Sequence, residues 1–66
     1  MNDMKMRIAF WDRADDQIIS AIEAIAGRDG LRDLMYDSGV IPKVREAITE
    51  FLDWVGVEYP EYPESY

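Results

Sequence analysis

The sequence predicts a mainly α-helical protein: a compact small bundle of about three helices, followed by an extended acidic C-terminal tail. Apolar residues recur at helical spacing in three stretches, and glycines or a proline separate these stretches. A chain of 66 residues accommodates one domain. We therefore assign residues 1–57 to a single helical domain, and residues 58–66 to a tail rich in proline, tyrosine and glutamate.

The first helix ends at Gly27, but its start is open to two interpretations. A start near Asp3 aligns one apolar stripe, although Asp15 intrudes on it. The members of this stripe are Met4, Ile8, Trp11, Ile18, Ile22 and Ile25. A start after Asp12 instead makes residues 4–10 an N-terminal strand, and the fold becomes α+β. The long helix is slightly favoured, because the only partner strand available would be very short and a two-stranded sheet is marginal.

Two further helices follow. The second is predicted over about residues 30–37, and the third runs from Pro42, which suits a first helical position, to the residue before Gly56. The inward residues of the second helix are Leu31, Leu34 and Met35. The apolar stripe of the third consists of Val44, Ala47, Ile48, Phe51, Leu52 and Val55.

Charge is distributed unevenly along the chain. Fourteen acids oppose seven bases, so the formal net charge is −7. Residues 1–45 hold eight acids and all seven bases, whereas residues 46–66 hold six acids and no base. Direct binding of nucleic acid is disfavoured, because that interaction depends on lysine and arginine neutralising phosphates. A basic protein is the favoured partner.

Several function classes lack the residues they need. The chain has no cysteine and no histidine, which excludes thiol or imidazole catalysis and a Cys/His zinc site. The clustered Asp12, Asp15 and Asp16 lack the spacing of a calcium loop. No segment has the length of a membrane span or the pattern of a signal peptide. We expect a cytoplasmic protein that is not an enzyme and uses no cofactor, no metal and no membrane.

The acids after residue 45 are candidate partner-binding residues. Neighbouring acids on one helix face lie about 5–6 Å apart, close to the spacing of phosphates along a nucleic-acid strand. The helical members are Glu46, Glu50 and Asp53. The tail repeats EYP, EYP, ESY, and the three-residue turn of polyproline II places Glu58, Glu61 and Glu64 on one edge. The alternative interpretation is an ordinary solvated acidic face.

Three aromatic residues complete the candidate site. Trp54 falls at the edge of its apolar stripe, where a partly exposed tryptophan favours binding of a partner protein. Tyr59 and Tyr62 belong to the tail repeat. The tail itself is open to three interpretations: a disordered appendage, a segment folded back on the apolar faces, or a docking peptide.

Residues 34–41, followed by Val44 and Ile48, resemble a repressor-type helix-turn-helix. Val44 comes one residue early for that pattern, and Met35 replaces the usual small residue. The helix that would read DNA is acidic, which disfavours contact with phosphates. Contact with protein through the same shape stays open.

In size, acidity and lack of catalytic motifs, the chain resembles small phage-encoded inhibitors of the anti-CRISPR and DNA-mimic type. This resemblance implies an inhibitor in the host cytoplasm that occupies a basic nucleic-acid-binding surface, such as that of a CRISPR effector subunit. The alternative function is a helical oligomerisation or adaptor module that binds through its apolar face, for which a homodimer is one arrangement.

Overall fold

Three helices make up the fold in a computed structural model that describes residues 3–62: α1 (Asp3–Ala26), α2 (Arg32–Asp37) and α3 (Val40–Val55). The prediction of a mainly helical protein with three helices is confirmed. Residues 4–10 are helical and belong to α1, and the described residues contain no strand. No helix among them is both long and apolar enough to cross a membrane.

The buried face of α1 differs from the predicted stripe. Trp11, Asp15 and Ile19 are its buried residues, each four positions after the last, whereas Ile25 is 87% exposed. The prediction was wrong for Ile25 and omitted Ile19. Its physical error was to treat Asp15 as an intrusion on the apolar face, when Asp15 lies at the centre of the buried one.

The buried face of α3 is rotated in the same way. The helix starts two residues before Pro42, and its buried residues are Ile41 and Arg45. Phe51, which the pattern assigns to the core, is 58% exposed. Residues four positions apart lie almost above one another on a helix, so burying Ile41 and Arg45 turns Phe51 toward solvent.

Two glycines set the limits of α3. Gly39 has φ +80°, a left-handed conformation that lets α3 begin directly after α2. Gly56 has φ +81° and ends the helix, as the sequence predicts. The N–H of Val57 donates to the carbonyl of Leu52 at 2.9 Å, which turns the chain back toward α1.

The core is small and joins all three helices. Its buried members are Ile19, Met35 and Ile41, one from each helix. Half-buried Ile18, Ile22, Leu31 and Val40 pack around them. Leu34, predicted to face inward, is 63% exposed because Met35 occupies the inward position of this short helix.

The segment after α3 returns to α1. The indole N–H of Trp11 donates to the carbonyl of Pro60 at 2.7 Å, and the Trp11 and Tyr62 rings meet edge to face at 5.9 Å. Residues as far as Tyr62 therefore lie against the helices. The predicted tail continues to residue 66, and its last four residues lie outside the described part of the chain.

Candidate protein-binding site

A buried ion pair between α1 and α3 underlies the candidate site. Asp15 is 1% exposed, and its carboxylate accepts hydrogen bonds from both Nε and Nη2 of Arg45, the Nε bond measuring 2.9 Å. The hydroxyl of Tyr36 donates to the same carboxylate at 3.0 Å. Asp15, the acid that intrudes on the predicted apolar stripe, is thus matched by a base from another helix.

Aromatic side chains surround this pair. The Tyr62 ring lies 3.9 Å from Cζ of Arg45, a cation–π contact that covers the guanidinium from the tail side. Tyr36 contacts the Asp15 member of the pair: burial raises the pKa of Tyr36, and its hydrogen bond to Asp15 raises it further. Tyr62, predicted to bind a partner, is half-buried and contacts the protein's own Arg45 and Trp11.

The ion pair turns the positive charge of Arg45 away from the acids that follow it. The five of those acids that the structure describes are exposed, and we call them the acidic edge: Glu46, Glu50, Asp53, Glu58 and Glu61. Within residues 3–62 the ion pairs are Arg45–Asp15 and Arg32–Asp16, so no ion pair there neutralises the acidic edge. The sixth predicted acid, Glu64, lies outside the described residues.

The chain reversal after α3 brings acids of the helix and of the tail together. Asp53, Glu58 and Glu61 line one shallow concavity of about 420 Å³ at the end of α3. The Tyr59 hydroxyl donates to Asp53 at 3.0 Å and holds the tail against the helix. That hydrogen bond, followed by burial, raises the pKa of Tyr59. Tyr59 therefore helps to shape the concavity.

The acidic edge suits several separate cations better than one metal ion. No group of three or more carboxylates within residues 3–62 is placed to hold a metal. Glu46 and Asp53 lie seven residues apart on α3, which is about two helical turns, or roughly 10 Å. Lysine and arginine side chains on a protein surface could meet such a row one by one.

An exposed aromatic pair lies next to the acids. Trp54 is 81% exposed, well beyond the partial exposure that its position at the edge of the stripe predicts, and its ring is 6.0 Å from that of Phe51. Trp54 follows Glu50 by four residues, so the two are neighbours on the helix surface. Phe51 was missed as a surface residue, because helical spacing alone does not distinguish it from core residues.

Comparison with family models, with curated proteins and with solved structures finds no match for this chain.

Proposed function

We propose that this protein binds a basic surface of a partner protein through its acidic edge and competes there with nucleic acid. The partner class is a nucleic-acid-binding protein, such as a CRISPR effector subunit, and the protein would act as an inhibitor of the DNA-mimic type. One observation carries the proposal: the five described acids are exposed, while Arg45, the base that precedes them, is held by Asp15. A purely structural role would not require this separation of charge.

The proposed mechanism is electrostatic and steric. Carboxylates in a row attract lysine and arginine side chains that otherwise neutralise phosphates, and the bulk of the protein then excludes the nucleic acid. Association should be fast and should weaken as salt screens the charges. Trp54, exposed beside Glu50, supplies an aromatic anchor of the type that contributes most at protein interfaces.

The test is affinity capture from a bacterial lysate on the immobilised full chain, with and without added double-stranded DNA. We expect retained proteins to be basic, to bind nucleic acid and to be displaced when DNA is added. Retention of neutral or acidic proteins alone, or of proteins that DNA does not displace, would overturn the proposal. Added salt should release the partner as well.

A pair of charge-matched variants localises the binding. The edge variant carries Glu46→Lys, Glu50→Lys and Asp53→Lys. The control variant carries Asp29→Lys, Asp33→Lys and Asp37→Lys, which are also exposed. Each variant changes the net charge by +6, from −7 to −1. We expect the edge variant to bind the captured partner at least roughly 100-fold more weakly, because like charges across an interface cost several kcal/mol. The control variant should retain most of the affinity, and equal losses in both would assign the effect to net charge alone.

A further inference from the structure

The exposed aromatic pair beside the acidic edge has the form of a surface that selects among cations. Trp54 is 81% exposed and Phe51 is 58% exposed, and their rings lie 6.0 Å apart with planes inclined by 45°. Rings inclined at this angle do not stack face to face, so a face of the Trp54 indole is open to solvent. That face carries the negative part of the ring quadrupole, and tryptophan attracts cations better than the other aromatic residues.

Negative charge lies next to the same ring. Glu50 is exposed and precedes Trp54 by four residues, which places their Cβ atoms about 5–6 Å apart on the helix surface. Trp54 belongs to the last turn of α3, where the carboxyl end of the helix carries partial negative charge, and that turn contains no base. Of the two bases of α3, Arg45 is bonded to Asp15, and Lys43 lies about 16 Å further back along the helix axis.

The chain itself shows how these two kinds of group hold a cation. The Asp15 carboxylate accepts hydrogen bonds from Nε and Nη2 of Arg45, and the Tyr62 ring lies 3.9 Å from Cζ of the same guanidinium. One carboxylate and one aromatic ring thus hold one guanidinium. Glu50 and Trp54 present the same two groups at the surface, and no ion pair or cation–π contact within residues 3–62 occupies them.

We call Glu50, Phe51 and Trp54 the aromatic site. We propose that it binds an arginine side chain of the basic partner in preference to a lysine side chain, an inference that rests on the proposed function. A guanidinium is planar and weakly hydrated, so it stacks on an indole while its edge donates two hydrogen bonds to a carboxylate. An ammonium group is a compact and strongly hydrated point charge, which makes the combination less favourable for lysine. Phe51 extends the apolar surface on which the methylene groups of the arginine would lie.

The test compares two synthetic peptides of equal charge, one with arginines separated by glycines and the other with lysines at the same positions. Each is titrated into the full chain, and the indole N–H signals of both tryptophans are followed by NMR. We expect the arginine peptide to bind roughly 3-fold to 10-fold more tightly and to shift the Trp54 signal. The signal of Trp11, which is 2% exposed, should keep its position. Equal affinities, or an arginine peptide that leaves the Trp54 signal in place, would overturn the proposal.

A pair of ring-removing variants assigns the preference to one side chain. Trp54→Leu keeps an apolar side chain but has no ring, and the 81% exposure of this residue means that the fold should be retained, which circular dichroism checks. We expect this variant to bind the two peptides with similar affinity. Phe10→Leu removes a partly exposed ring of α1 and should keep the preference of the wild type. A preference for arginine that persists in Trp54→Leu, or that is lost equally in Phe10→Leu, would contradict the aromatic site.

A second pair of variants tests the carboxylate. Glu50→Gln and Glu46→Gln each remove one exposed negative charge of α3, about one and about two helical turns before Trp54. Both variants should bind both peptides more weakly, because the acidic edge loses a charge. Only Glu50→Gln should also reduce the preference for arginine over lysine. The same ratio of affinities in Glu50→Gln and in the wild type would contradict the assigned role of this carboxylate.

The outcomes distinguish failure of the aromatic site from failure of the acidic edge. The edge variant with three lysines should bind neither peptide. Equal binding of both peptides by the wild type, together with no binding by the edge variant, would overturn the aromatic site and leave the proposed function standing. Absence of binding of either peptide to the wild type, or equal weakening in the edge and control variants, would count against the acidic edge and therefore against both proposals.

Discussion

The two main charged regions of this molecule are built in opposite ways. Asp15 and Arg45 are buried, bonded to each other at two atoms and surrounded by aromatic rings. The acidic edge is exposed and takes part in no ion pair among the described residues. Burying a charge requires a matched partner, whereas a solvated charge requires none. Charges that are buried between helices therefore hold the fold together, whereas the charges on the solvated face of α3 and the tail make no ion pair within the described residues.

The largest effect is expected from removing one member of the buried pair. Asp15→Ala should lower the free energy of unfolding by about 3–5 kcal/mol, because it leaves the Arg45 charge buried without compensation. The whole stability of a chain this short is about 3–10 kcal/mol, so this variant should lose between about a third and all of it. Urea titration followed by circular dichroism measures the change.

The adjacent residue provides the control. Asp16 forms an exposed ion pair with Arg32 at 2.7 Å, and exposed pairs contribute about 0–1 kcal/mol. Asp16→Ala should therefore lower stability by less than about 1 kcal/mol. Similar losses from Asp15→Ala and Asp16→Ala would mean that the buried pair is not structurally special. The double variant Asp15→Leu with Arg45→Met should regain most of the stability, since apolar residues often replace a buried pair at little cost.

A smaller effect is expected at the contact between α1 and the tail. Trp11→Phe removes the hydrogen bond to the carbonyl of Pro60 and leaves a small void, which should cost about 1–3 kcal/mol. Hydrogen exchange should become faster in particular at the amides of residues 57–62 other than Pro60, which has no N–H. Trp54→Phe is the matched control, because that side chain is 81% exposed and should leave exchange unchanged. Unaltered tail exchange in the Trp11→Phe variant would show that this bond does not hold the tail.

The smallest predicted effect is a dependence of stability on alkaline pH. Burial raises the pKa of Tyr36, as does its hydrogen bond to Asp15, so folding favours the neutral phenol. This contribution is fully present below the unfolded pKa of about 10 and is lost as the pH rises through the higher folded-state value. The pKa of Tyr59 is also raised, by its hydrogen bond to Asp53 and by burial, and it acts in the same direction.

Thermal melts on either side of that pH range measure this effect. Tyr36→Phe should reduce the loss of stability at high pH. Tyr59→Phe should reduce the part of that loss that comes from the contact between the tail and Asp53. A wild-type melting temperature that increases as the pH rises above about 10 would contradict this prediction, because a raised tyrosine pKa makes stability fall there.

How far the sequence predicts this structure depends on the range of the interactions involved. The number of helices and the C-terminal ends of α1 and α3 follow from local features such as Gly27 and Gly56, and they were predicted. The buried faces depend on contacts between distant residues: Asp15 is buried only because Arg45 lies opposite it, thirty residues further along the chain. Apolar periodicity carries no information on such a pair, so the predicted stripe excluded the helix face that Asp15 occupies. Ile19 lies one turn further along that face and was omitted with it.

The candidate site divides in the same way. The exposure of Glu46, Glu50 and Asp53 could be predicted from residue type and helical phase. The position of the tail could not, because the bond that docks it joins Trp11 to Pro60, forty-nine residues apart in the sequence. The repeat predicts acids on one edge of the tail, but not that its tyrosines contact Arg45 and Asp53.

The contrasting surroundings of the two tryptophans make the chain its own optical reporter. Trp11 is 2% exposed and Trp54 is 81% exposed, so one indole emits from an apolar interior and the other from water. A ligand that covers Trp54 would shift the long-wavelength part of the emission toward the blue. Loss of the fold would shift the contribution of Trp11 toward the red. A single spectrum thus distinguishes occupancy of the surface from melting of the interior, with no added dye.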